Sequence, residues 1–305
     1  MLGKKVSDPK TEYFEKEFIK RLKAVIADNT PNIIICADSQ SLFLAQTATN
    51  NRIPTIAMCH TDPQSILDNV PQSEMAAWKN AYKVQVLLES YRKSFLDIGI
   101  HNIICIPNVV PQFSESDIKN KYNTNTIVWV GRLEKIVKRP HILIDVFSLI
   151  AADFPQWNIK FYGSDDNAKY LNDIKAKISQ HNLNNIIEFC GITKDIFSVM
   201  KEAEIFVSTS KFEGFPLAVT EAMSIGLPVV GFRNCNALAD IIIDGETGIL
   251  ADDVSDMANK LSMLMENKIL RKNIGYKAHL AMSKFSPEVV WDKWKEIVED
   301  AISAK

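Results

Sequence analysis

Residues 203–226, AEIFVSTSKFEGFPLAVTEAMSIG, limit the possible folds more than any other stretch of the chain. The run Ile205–Thr209 is too short for a helix and apolar enough for a buried parallel strand. A polar loop, Ser210–Pro216, follows, and then Leu217–Met223, which reads as a helix. Pro216 suits a first helical position, because the N–H it lacks has no partner there. A strand that runs through a loop into a helix is half of a βαβ unit. In open sheets built of such units, the loops leaving the carboxyl ends of the strands line the ligand crevice. The free N–H groups of the helix then face whatever binds in the loop. Two carboxylates bracket the element, Glu213 before the helix and Glu221 within it. Their spacing alone is equally that of a solvated loop and an exposed helical glutamate.

The same alternation runs along the chain. Residues 10–29 are an amphipathic helix with Phe14, Phe18, Leu22, Val25 and Ile26 on one face and Lys16, Lys20, Arg21 and Lys23 on or near the other. The expectation is a helix covering a sheet, with a basic membrane-surface helix as the second reading. Strand runs follow at 32–37, 55–60, 84–88 and 103–106, with helices at 39–50 and 90–98. Polar, asparagine-rich residues 112–125 read as an interdomain linker. Beyond them come strands at 126–130, 159–163, 186–189 and 228–232. Helices are expected at 140–152, 166–181, 195–202 and 253–267, with a turn at 244–248. Ser286 caps a last helix in which Trp291 and Trp294 are packing residues. The pattern divides as a partial N-terminal domain (1–115), a doubly wound nucleotide-sugar domain (116–285) and a terminal helix (286–305) crossing back onto the first domain.

A formal net charge of −2 over 305 residues argues against a nucleic-acid partner, and no apolar run is long enough to span a membrane. The N-terminus lacks the apolar core of a signal peptide. The five cysteines form no CxxC pair and fit buried reduced thiols in a cytoplasmic protein. No metal-ligand spacing and no Asp-x-Asp occurs, so no metal and no other cofactor is expected.

Glu213-Gly214-Phe215-Pro216-Leu217, with Glu221-Ala222 and then Gly226-Leu227-Pro228-Val229-Val230, resembles the nucleotide-sugar signature of retaining GT-B glycosyltransferases, family 4. The resemblance is specific over Thr126–Leu250. It implies an α/β GT-B architecture of two Rossmann-like doubly wound domains, the N-terminal one shortened. It also implies roles. Glu221 holds the ribose hydroxyls of the nucleotide. Glu213 faces the donor sugar, with the backbone of Gly214, Phe215 and Leu217 near the sugar and phosphate. Arg132, after Gly131, and Lys138 bind the diphosphate. Gly163 ends a strand bordering the pocket, and Ile192 and Thr193 lie near the base. The family lysine is five residues after the arginine and precedes glycine; here the loop is one longer and ends Lys138-Arg139-Pro140, which leaves open which basic residue acts. His60 ends its strand where the family often has a histidine near the sugar, and a structural histidine is the equal alternative.

The implied reaction is metal-independent transfer of a sugar from a nucleoside diphosphate donor, a UDP-sugar by family frequency, to an acceptor hydroxyl with retention. The acceptor expected by resemblance is a saccharide or lipid-linked intermediate of envelope or capsular polysaccharide synthesis, met at the inner face of the membrane. Without a metal, fixed cations and helix N-termini must stabilise the leaving diphosphate. One alternative is a non-catalytic or partner-dependent donor-binding subunit, motivated by the short first domain. A nucleotide-sugar epimerase is another. A dehydrogenase is disfavoured, since no Gly-x-Gly-x-x-Gly occurs.

Overall fold

The computed structural model describes residues 9–118 and 123–303. They fall into two compact units: residues up to Pro107 with those from Trp291 onward, and Asn108–Val290.

The first unit opens with α1 (Pro9–Asn29), followed by β1 (Ile34–Cys36), α2 (Ser39–Thr49) and β2 (Thr55–Cys59). Next are α3 (Pro63–Asn69), α4 (Gln72–Asn80), β3 (Lys83–Val86), α5 (Tyr91–Leu96) and β4 (Ile103–Cys105). The four strands are parallel in the order β1-β2-β3-β4. The order runs one way only, as in one half of a doubly wound sheet. α2 starts at a capping box, Asp38 accepting from the Ser41 N–H while Ser41 Oγ accepts from the Asp38 N–H. The sequence reading misses α3, although Asp62 and Pro63 are its N-cap and first residue.

α1 packs on α2, not chiefly on the sheet. Leu22 and Ile26 turn inward, but Phe14 and Phe18 remain 70% and 50% exposed and Val25 is exposed as well. The expected apolar face is therefore split. At 100° per residue, Lys16, Lys20 and Lys23 lie on the opposite side of the helix from the Phe14–Phe18–Val25 stripe. A membrane-surface helix needs its cations flanking its aromatics, so this geometry does not favour that reading.

The second unit carries β5 (Thr126–Val130), α6 (Pro140–Ser148), β6 (Asn158–Tyr162), α7 (Ala168–Gln180) and β7 (Ile187–Gly191). It continues through α8 (Ile196–Glu202), β8 (Ile205–Val207), α9 (Leu217–Ser224), β9 (Val229–Phe232), α10 (Asn236–Ile241) and β10 (Ile249–Ala251). α11 (Val254–Glu266), α12 (Lys268–Ala281), a 3-10 turn at Met282–Phe285 and α13 (Pro287–Ser303) complete the chain. Its six strands are parallel in the order β10-β9-β8-β5-β6-β7. The chain winds outward from β5 to β7, returns to β5's other side with β8, and winds the other way. The reversal falls between β5 and β8.

Strand alternation builds the core. Ile127, Trp129, Ile159 and Phe161 point to one face and bury with Leu143 and Phe147 of α6. Residues 112–118, read as linker, belong in part to this unit: Phe113 stacks 5.0 Å from Phe197 of α8, and the Val110 N–H donates to the Phe285 carbonyl. The end of that expected linker, residues 119–122, lies outside the described residues. Trp291 is not a packing residue, being 62% exposed.

Candidate functional site

Three strand ends set the site's floor. The Gly131 N–H donates to the Tyr162 carbonyl and the Gly163 N–H to the Gly191 carbonyl, so the ladder continues one residue past β5 and β6. Gly163 has φ +149, and a Cβ there would lie 1.8 Å from the Gly131 carbonyl oxygen. Only glycine permits that approach. The loops after β8, β5, β6 and β7 thereby open side by side on one edge of the sheet.

The loop after β5 carries the cations. Arg132 is exposed, and no hydrogen bond or ion pair is seen on its guanidinium among the described residues. The loop then returns to the sheet at Lys138, whose Nζ lies 2.5 Å from Glu213 Oε1. Ser210 Oγ donates to the same oxygen at 2.6 Å. The pair is largely buried, with side-chain exposures of 22% and 13%, so it is screened less than a surface pair. Arg139 follows in the left-handed region at φ 51, ψ 47, the conformation that favours glycine. Its guanidinium turns away onto the Phe232 ring, while its Nε donates to the Thr209 carbonyl. The geometry thus separates the two basic residues: Lys138 reaches the acid, and Arg139 ties the loop down.

The loop after β8 carries the acids. The N-cap of α9 is Pro216, one position earlier than the sequence suggests. The Leu217 N–H donates to the Phe215 carbonyl at 2.9 Å and is not offered outward, against expectation. Phe215 is buried against Phe285, its ring edge-on at 5.4 Å, which anchors the loop. Glu221 is half-buried on α9, and among the described residues no hydrogen bond to its carboxylate is seen. Burial pushes its pKa up. An unpaired carboxylate held this way is complementary to a ligand that brings hydroxyl donors.

These two loops flank the β5/β8 reversal, the position where open α/β sheets bind ligands. Trp129, Lys138, Ser210, Glu213 and Pro216 line a small cleft there. Larger cavities lie elsewhere, one of about 690 Å³ between α1 and α2 and one of about 550 Å³ against α8. Neither gathers a cation–carboxylate pair beside a topological switch, so chemistry rather than volume marks the site.

The sequence from 112 to 280, more than half of the chain, matches the family model "Glycosyl transferases group 1". The chain belongs to that family. Among its curated relatives, the poly(ribitol-phosphate) alpha-N-acetylglucosaminyltransferase of Staphylococcus aureus is 28% identical over 286 residues, 90% of this chain and 56% of that one. The amylovoran biosynthesis glycosyltransferase AmsD of Erwinia amylovora is 24% identical over 92% of this chain and 80% of its own. In structure, S. aureus TarM, crystallised with fondaparinux, alpha-GlcNAc-glycerol and UDP, matches at TM-score 0.77 and 26% identity, covering 91% of this chain and 57% of TarM. The fold class is accordingly the GT-B α/β class that the motifs imply. The chain spans little more than half the length of several relatives it matches.

Within the group 1 frame, the remaining expected residues are placed as follows. Ile192 is 78% exposed just past β7, and Thr193 Oγ1 accepts from the Asp195 N–H. His60 lies exposed one residue past β2, in the first unit. The sequence reading does not single out Thr209, Ser210 or Arg139. For Ser210 the local signal is there, three residues before Glu213. For Thr209 and Arg139 it is not, because their contacts join segments 70 residues apart.

Proposed function

We propose that the chain is a retaining, metal-independent glycosyltransferase that moves a sugar from a nucleoside diphosphate donor, UDP by preference, to a hydroxyl of an envelope or exopolysaccharide acceptor. One observation carries the reading. Arg132 and Lys138 on one loop and Glu213 and Glu221 on the next flank the switch between β5 and β8.

In this reading Glu221 accepts hydrogen bonds from the ribose hydroxyls, which relieves its unpaired burial. Arg132 and Lys138 take the diphosphate, whose charge grows as the glycosidic bond breaks, and supply the electrostatic stabilisation a metal would otherwise give. Glu213 sets the position of Lys138 and meets the sugar. Its Oε1 is engaged by Lys138 and Ser210, which suits a positioning group better than a nucleophile. Attack by the acceptor on the face the leaving diphosphate vacates, with a phosphate oxygen taking the proton, retains configuration. The bond to the acceptor oxygen forms as the anomeric C–O bond breaks. UDP in the TarM crystal and the polymer-synthesis names of the relatives support the donor and acceptor classes.

The test is product stereochemistry by NMR, using UDP-glucose or UDP-N-acetylglucosamine, a polyol-phosphate acceptor and excess EDTA. An α-linked product at undiminished rate is expected. A β-linked product, or loss of rate in EDTA, contradicts the reading. A second reading is a donor-binding subunit whose acceptor side comes from another chain, and the exposed Tyr13, Phe14 and Phe18 of α1 favour it. It predicts donor binding without transfer by the purified chain.

A further inference from the structure

Thr209 is fully buried at the end of the strand leading to the acid loop, and each of its polar groups is used. Its Oγ1 donates to the Lys138 carbonyl at 2.7 Å and accepts from Trp129 Nε1 at 2.9 Å. Its own carbonyl accepts from Arg139 Nε at 2.9 Å. Two residues on, the Lys211 N–H donates to the Val137 carbonyl at 2.8 Å. The cation loop is thus clasped to the acid loop over three consecutive residues, with Thr209 at the centre. Trp129 extends the clasp to the loop's other end, since its indole edge lies 3.1 Å from where a Cβ on Gly131 would be.

The arrangement has a consequence for charge placement. Lys138 is a long, flexible chain, and its Nζ can be delivered reproducibly only if its backbone is fixed. Arg139, next to it, sits in a left-handed conformation that costs on the order of 1 kcal/mol and persists only where surrounding bonds hold it. The hydroxyl of Thr209 is the group that holds Lys138 from beneath.

We propose that Thr209 is a positioning residue for the diphosphate-binding cation: by fixing the Lys138 carbonyl against Trp129, it sets where the Lys138 charge meets the donor's phosphates. The inference rests on the reading of this site as a nucleoside diphosphate site. Thr209 contributes charge placement without touching the ligand.

The test uses the whole chain and calorimetric titration with uridine and with UDP, whose affinity ratio reports the diphosphate contacts alone. Wild type is expected to favour UDP by about 100-fold, as two charge-assisted contacts imply. Thr209→Val keeps the shape and removes both hydrogen bonds; it should lower that ratio by about tenfold while uridine affinity stays unchanged. Thr209→Ser, which keeps the hydroxyl, should stay within about twofold of wild type. In Lys138→Ala the ratio falls similarly, and adding Thr209→Val should lower it no further. A Thr209→Val chain that melts lower but keeps the wild-type ratio overturns the proposal, leaving Thr209 as a packing residue. A wild-type chain that binds uridine and UDP equally overturns the underlying site reading and the proposal with it. If Thr209→Val does not fold, Trp129→Phe replaces it: a fall of about threefold in the ratio supports the role, and an unchanged ratio refutes it.

Discussion

Glu221 shows how a binding residue stands out before any ligand is seen. Its carboxylate is half-buried without a hydrogen-bond donor among the described residues, and burial raises its pKa in the folded state. The folded state then binds the proton more tightly than the unfolded chain, so stability falls as pH rises from the unfolded to the folded pKa. Above that window the ionised group is a net cost. Glu221→Gln should therefore raise the melting temperature at pH 7 by roughly 1–3 °C and flatten its decline above pH 4, as read by calorimetry, while weakening nucleotide binding. A lower melting temperature would mean that a partner already satisfies the carboxylate. Arg132 makes the complementary case. It is exposed and holds nothing in place, so Arg132→Ala should leave the melting temperature within about 1 °C and cut turnover about 100-fold or more. The sequence makes Arg132, Lys138, Glu213 and Glu221 visible because each is a charged residue in or just after a loop that leaves an apolar run. Thr209 stays hidden: its function depends on a carbonyl 71 positions away, which no local pattern encodes.

At the scale of elements, sequence reading works where one strand or helix carries its own signal. β5, β6, β8 and β9 are short apolar runs, and α6 begins at a proline, so all five are legible. Two helices of the second unit are not. α10 begins at Cys235, which offers no side-chain cap, and its end, Ile241-Ile242-Ile243, has strand composition. α12 follows α11 with only Asn267 between them, so a residue that reads as the end of one helix is also the N-cap of the next. Equally unreadable is the bond that ties these elements to the sheet. Glu204, fully buried just before β8, accepts from Arg271 Nη2 of α12 at 2.6 Å and from the Thr124 and Asn125 N–H groups. Arg271 also donates to the Leu264 and Met265 carbonyls and lies over the Trp157 ring. Removing one partner strands the other charge in the core. Glu204→Ala should destabilise the second unit by about 3–5 kcal/mol in denaturant melts, and a loss under about 1 kcal/mol would show the pair to be dispensable. Gly163→Ala should likewise be poorly tolerated, because its methyl would meet the backbone of Gly131 and push apart the strand ends that carry the cation loop.

The whole molecule comprises two parallel sheets of different winding. The first runs in one direction, whereas the second reverses between β5 and β8. That reversal is why two loops far apart in sequence share one crevice, and why the catalytic charges gather in the second unit. A net charge of −2 means that the cations act locally, not through a basic field over the molecule. Strand order is the part of the fold least readable from sequence, since apolar runs give the number of strands without the neighbours each will take. The most direct measurement is calorimetric titration of the purified chain with UDP, GDP and ADP, repeated on Glu221→Ala. The account predicts saturable binding of UDP in preference to the other two and its loss, by about 100-fold, in the variant. Binding of none of the three, or binding that Glu221→Ala leaves intact, would contradict it.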